Sequence, residues 1–168
     1  MGAGMALFVG RFDNKIDKKG RVSVPKPFRD VLAGDGFAGV YIYPSFRAPA
    51  IEVCGETYFR RLTERMDGDL AMFSAEQDDL LAAILHNAHA PAFDPEGRIV
   101  IPRELLDYTG IGSEARFVGN ALSFQIWHPA THDIHRRQGL EKARAKGLTL
   151  PPKRPAPAGH AGPGDRRS

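Results

Sequence analysis

Cysteine is nearly absent from this chain. Cys54 is the only one in 168 residues, so no internal disulfide can form, and a lone thiol fits a reducing compartment. Membrane-length apolar runs are missing too. The uncharged stretch Leu80–Phe93 contains His86, Asn87 and His89 and is too short to span a bilayer. The start, "MGAGMALFVGR", has no cationic segment leading into a long apolar run, which argues against a secretory signal. A cytoplasmic protein is therefore expected. Several chemical signatures are lacking as well. No Cys pair and no HExxH motif occurs, and no GK[ST] follows Gly34, Gly36 and Gly39, so neither a zinc site nor a phosphate loop is read. His128, His132 and His135 lie close together, and His86 and His89 are spaced i, i+3, but Pro129 interrupts the first group. Solvated or core-lining roles account for them, and Cys54 reads as a small core residue rather than a nucleophile.

An excess of charge is also missing over most of the chain. The net charge is +3, and residues 151–168 alone hold four Lys/Arg against Asp165, so residues 1–150 sum to zero. Within that body the charges are separated. Residues 1–29 carry seven Lys/Arg against Asp13 and Asp17, whereas residues 52–79 carry eight Asp/Glu against three Arg. This suggests one edge facing a polyanion; chance clusters folded beside opposite partners are the alternative.

What is present is a repeat. "DKKGR" at 17–21 returns as "DPEGR" at 94–98, followed by "RVSVP" and "RIVIP". Asp17, Gly20, Arg21, Val22, Val24, Pro25 and Phe28 match Asp94, Gly97, Arg98, Ile99, Ile101, Pro102 and Leu105. Asp at the first position and Gly at the fourth are type I turn preferences, and Pro95 adds the second. The strands alternate, with Val22 and Val24 or Ile99 and Ile101 facing in, and Arg21 and Ser23 or Arg98 and Val100 facing out. Pro25 and Pro102 end them. A short helix follows each: Phe28, Val31 and Leu32 stopped by Gly34, then Leu105 and Tyr108 stopped by Gly110.

Further strands are read at 39–44, 50–54, 115–120 and 123–127. Each half becomes strand, turn, strand, short helix, two strands and a longer helix. Phe59, Leu62 and Met66 form one helical stripe. Ser74 and Gln77 form a capping box before Leu80, Leu81, Ile84, Leu85 and Ala88. Residues 131–146 are helical and basic, and the Pro/Gly-rich tail from 147 to 168 has too little apolar matter to fold. Neither half can bury its apolar face alone. The fold class is thus α+β and β-rich, with two halves interlocked as one pseudo-two-fold β-barrel and flanking helices. The boundaries are 7–66 for the first module, 67–93 for a connecting helical segment, 94–146 for the second module and 147–168 for the tail.

Two Asp-x-x-Gly-Arg turns, each with alternating aliphatics and Pro, resemble the MraZ family of bacterial transcription regulators, and each half is similar to an AbrB-like DNA-binding module. The resemblance spans about residues 7–137. "IDKKGRVSVPKPFRDVL" is its strongest stretch and "FDPEGRIVIPRELLDYTGI" its second. Val9 stands where many members place a basic residue. The resemblance implies binding to short G-rich boxes in direct repeat upstream of the division and cell-wall operon, repression of the chain's own transcription, nucleoid association, and homo-oligomeric rings of several chains. It places Arg21 on DNA and Arg98 at the matching position of the second half. It implies no enzyme activity, cofactor, metal or membrane partner.

The chemistry of Arg21 supports this independently. An arginine beside a rigid turn can offer its planar fork to guanine O6 and N7 in the major groove. Asp17 can orient it, while Lys15, Lys18, Lys19, Lys26, Arg11 and Arg29 would neutralise phosphates. The alternative for Arg21 is a purely structural pair with Asp17. The second copy has Pro95 and Glu96 where the first has Lys18 and Lys19, so the first half is expected to read DNA and the second, with Asp94 and Arg98, to complete the barrel and support assembly. Direct repeats suit head-to-tail contacts, which close into rings. Two rival readings are an AbrB-like antitoxin whose tail masks a toxin, and a metal-dependent enzyme built on the histidines.

Overall fold

The computed structural model describes residues 6–69 and 75–147. Seven strands and five helices occur among them: β1 Arg11–Lys15, β2 Arg21–Ser23, α1 Lys26–Leu32, β3 Tyr41–Pro44, β4 Ile51–Cys54, α2 Glu56–Asp69, α3 Ala75–Ile84, β5 Arg98–Val100, α4 Arg103–Thr109, β6 Glu114–Asn120, β7 Ser123–Trp127 and α5 Pro129–Ala145. The chain divides into one compact unit ending at His135 and a second from Arg136 onward. In the second unit the described residues continue α5, expose Arg136, Arg137, Lys142 and Arg144, and end at Gly147 with φ +59°. The capping residue Ser74, the side chains of Met66, Gln77 and Leu81, and the tail beyond Gly147 lie outside the described residues.

The first unit is a mixed α+β fold. A five-stranded antiparallel sheet runs β1-β6-β7-β4-β3, and a separate two-stranded antiparallel ribbon pairs β2 with β5. Strand pairing does not close these sheets into a barrel. The ribbon nevertheless carries an internal two-fold. Val22 faces its own counterpart Ile99, with Arg21 opposite Val100 and Ser23 opposite Arg98. The flanking bonds are reciprocal: Val24 N–H donates to Gly97 O at 3.1 Å and Ile101 N–H to Gly20 O at 2.9 Å.

The alternation works as the sequence predicts. Val22, Val24, Ile99 and Ile101 are buried in one hydrophobic core that also takes Phe28, Leu32, Leu105, Phe117, Phe124 and Ile126. Both halves contribute to it, so neither has a separate core. Phe28 sits at its centre, 5.3 Å from Phe8 and 4.8 Å from Phe124 between ring centroids, in the range where aromatic pairs attract.

Several elements differ from expectation. The second half lacks a full counterpart of β1. Ala92 and His89 make only isolated bridges to Gly39 and Ile42, because Pro91 has no N–H to continue a ladder and serves only as an acceptor, from Val40 N–H at 3.1 Å. α1 is capped by Ala33 in right-handed conformation rather than ended by a left-handed Gly34, whereas α4 does end at Gly110 with φ +72°. In α4 the buried residues are Leu105, Leu106 and Thr109. Tyr108 is exposed and donates its hydroxyl to Ser45 O at 2.7 Å. α3 stops at Ile84, short of Ala88; Asn87 Nδ2 donates to Ala82 O at 2.9 Å and satisfies a carbonyl at the helix end.

Candidate nucleic-acid interface

The two turns are built alike, atom for atom. In the first, Asp17 N–H donates to Arg21 O and Gly20 N–H to Asp17 O, both at 3.0 Å. Asp17 Oδ1 accepts from the amides of Lys19 and Arg21, each at 2.9 Å, and Oδ2 accepts from Arg21 Nε at 2.6 Å. In the second, Asp94 Oδ1 accepts from Glu96 N–H and Arg98 N–H at 2.9 Å, and Oδ2 from Arg98 Nε at 2.7 Å. Gly20 and Gly97 both adopt positive φ, +82° and +76°, which side chains with a Cβ disfavour. Both aspartates are held below the usual carboxylate range, first by the backbone amide of the following arginine and then by its guanidinium.

The ribbon register puts Arg21, Ser23, Arg98 and Val100 on one outward face, opposite the buried Val22 and Ile99. The guanidinium of Arg21 engages Asp17 only through Nε. Among the described residues its terminal nitrogens, the pair that fits guanine O6 and N7, have no partner, and the side chain is 38% exposed. At Arg98 the same edge is engaged: Nη2 lies 3.5 Å from Glu96 Oε2. That exposed contact stabilises the fold little. Its significance is where it leaves a negative charge.

The other predicted residues divide into two groups. Lys18 and Lys19 lie exposed on the first turn between Asp17 and Arg21, and Lys15 lies exposed at the end of β1 leading into it. Lys26, Arg29 and Arg11 are placed elsewhere. Lys26 opens α1 and pairs with Asp30 at 2.9 Å. Arg29 is half-buried, donates Nε to Val24 O at 3.1 Å, and lies against Gly97 of the second turn. Arg11 stands at the far end of β1, about 13 Å of strand from Lys15, beside a shallow cavity that it lines with Asp13 and Arg116.

A charged network at that end is not visible in the sequence. Arg116, whose side chain is 13% exposed, donates Nε to Asp13 Oδ1 at 2.8 Å and Nη1 to Asp133 Oδ1 at 2.5 Å. Nη1 also lies 3.2 Å from His132 Nδ1. Strand alternation places Arg116 opposite Phe117, but its partners are 103 and 17 residues away and no local signal finds them. Both carboxyls are held below their ordinary range by Arg116.

Four of the six histidines have structural partners among the described residues. His128 Nδ1 accepts the Ala130 amide at 3.1 Å at the start of α5, His132 meets Trp127 edge-on and His135 meets it at a tilt, and His89 Nε2 lies 2.6 Å from Glu104. Among the described residues no group of three His, Cys, Asp or Glu could hold a metal ion. Cys54 is buried and its thiol is pushed up to about 12, chiefly by desolvation, so it carries no thiolate at neutral pH. No helix among the described residues is long and apolar enough to cross a membrane.

A family model described as "MraZ protein, putative antitoxin-like" matches residues 84–147. A Beijerinckia indica protein named Transcriptional regulator MraZ is 44% identical over 140 residues, covering 83% of this chain and 82% of that protein. Proteins of the same name from Rickettsia felis and Rickettsia bellii are 38% and 37% identical, each covering 87% of this chain and 97% of the relative.

Proposed function

Since the chain belongs to the MraZ family of transcriptional regulators, we propose that it binds double-stranded DNA with the outward face of the β2–β5 ribbon, Arg21 reading guanine in the major groove. One observation carries this reading. Asp17 holds the Arg21 guanidinium by Nε alone, which fixes it while leaving the terminal nitrogens available for a bidentate contact. A purely structural pair would not need three exposed lysines around it. Lys15, Lys18 and Lys19 supply the phosphate contacts, and Lys26, Arg29 and Arg11 belong to the proposal only as peripheral contacts.

The second turn supports the fold and assembly rather than base reading, because Glu96 stands at the position that Lys19 holds in the first. The target class is short G-rich boxes in direct repeat ahead of the division and cell-wall operon, occupied in the cytoplasm at the nucleoid and repressing the chain's own transcription. Identical subunits bind such boxes head to tail, the arrangement that a ring provides. The pseudo-two-fold barrel is retained as the architectural part of the proposal, supported by the reciprocal ribbon register.

Footprinting on the DNA upstream of the chain's own gene tests this. Arg21→Ala is expected to cost roughly 1–3 kcal/mol per box and relax base choice, while Arg98→Ala leaves protection nearly intact. Equal loss from both substitutions would overturn the division between the halves. No loss from Arg21→Ala would overturn the reading itself.

A further inference from the structure

The outward face of the ribbon holds one side chain that neither a structural pair nor a phosphate contact explains. Val100 is 51% exposed, directly opposite Arg21 in register, and its counterpart in the other half is Ser23. The face is therefore asymmetric in two ways. Across one pair an open arginine stands beside an exposed aliphatic; across the other an arginine engaged by Glu96 stands beside a hydroxyl.

We infer that Val100 is a second specificity-determining residue, packing its methyl groups on the C5-methyl of a thymine next to the guanine that Arg21 reads. This rests on the DNA-reading proposal above. Directly opposed residues of an antiparallel pair have Cβ atoms about 4.5–5.5 Å apart, and successive bases are about 3.4 Å apart along the duplex. With the Arg21 fork on a guanine edge, Val100 comes over a neighbouring base. Valine offers no hydrogen bond, so it cannot distinguish the donor and acceptor groups of guanine, cytosine or adenine. The one apolar feature in the major groove is the thymine methyl. The two residues together read a dinucleotide step, and the second half contributes to recognition through Val100 although its own arginine does not.

The test uses the full-length protein and a duplex that it selects from a random pool. Each guanine is replaced in turn by 7-deazaguanine, and each thymine by deoxyuridine, which lacks only the methyl group. The expected result is one guanine whose N7 is required and one adjacent thymine whose methyl loss weakens binding roughly three- to fivefold, the effect of one apolar group left unburied. In Val100→Ser, which copies Ser23 and is expected to melt with the wild type, the deoxyuridine penalty disappears; in Val100→Thr, which keeps one methyl, it is intermediate. A required guanine with no methyl-sensitive neighbour, or a penalty that persists in Val100→Ser, overturns the inference while leaving Arg21 as the reader. If no guanine N7 matters, the DNA-reading proposal fails first. A Val100→Ser variant that binds DNA normally but no longer self-associates also overturns the inference and makes this valine a contact between copies.

Discussion

The first and second turns share a backbone, a hydrogen-bond pattern and an Asp–Arg clamp, with matching distances that differ by no more than 0.1 Å. They differ in what surrounds the clamp. Lys18 and Lys19 leave the terminal nitrogens of Arg21 unopposed, whereas Glu96 lies 3.5 Å from one of those of Arg98, Nη2. Asp, Gly and Arg at these spacings build the same mount twice, and the two residues between Asp and Gly set the charge around it, which is the feature on which the proposed division between the turns rests. One geometric device thus stands in two electrical surroundings in a single chain.

The largest effect expected from disturbing this comparison is on stability. A Cβ on Gly20 would lie 2.6 Å from the carbonyl oxygen of Ile101, a backbone atom of the opposite half. On Gly97 it would meet the Arg29 guanidinium, the end of a flexible side chain. Both positions have positive φ, which alone costs about 1–2 kcal/mol. Gly20→Ala should therefore lose roughly 2–4 kcal/mol in chemical denaturation and Gly97→Ala about 1–2 kcal/mol. The reverse order would show that Arg29 is the more rigid of the two obstacles.

A smaller effect is expected from making the second turn resemble the first. Pro95→Lys with Glu96→Lys adds two positive charges and removes one negative, raising the net charge by about three. If charge alone separates the turns, DNA affinity rises about tenfold at low salt and the salt slope steepens by roughly 0.9 for each new phosphate contact. Arg98→Ala in that background then becomes costly. Unchanged binding would locate the difference elsewhere on the ribbon.

Much of this comparison was legible in the sequence. The repeat, the turn chemistry, the inward Val22, Val24, Ile99 and Ile101, and the charge contrast at 18–19 against 95–96 depend on local patterns that a single chain displays. What was not legible depends on long-range pairing. Nothing local says that Val22 pairs with Ile99, so the placement of Val100 opposite Arg21 had no sequence signal. Arg29 and Lys26 read as phosphate ligands from charge alone, and no local pattern signals the contact of Arg29 with the second turn 68 residues away in sequence. Pro91 was a visible breaker, and its effect on the missing strand could have been read.

The subtlest difference expected between the turns is one that should vanish. Asp17 and Asp94 are both held below the ordinary value of 3.8, first by the amides of Arg21 and Arg98. A carboxylate whose folded value is depressed stabilises the fold fully above its unfolded value, and that contribution is lost as pH falls through the folded value. The window thus lies below about pH 4, and both turns should be intact at pH 5 and above. Asp17→Asn and Asp94→Asn should each flatten the acid limb of the stability curve by the same amount, because each removes the same set of charge-assisted bonds. DNA binding at neutral pH should separate them, since only Asp17 holds the arginine proposed to read DNA. Unequal acid limbs would mean that Glu96 or the neighbouring lysines tune the clamp itself, and the turns would then differ in their mounts as well as in their surroundings.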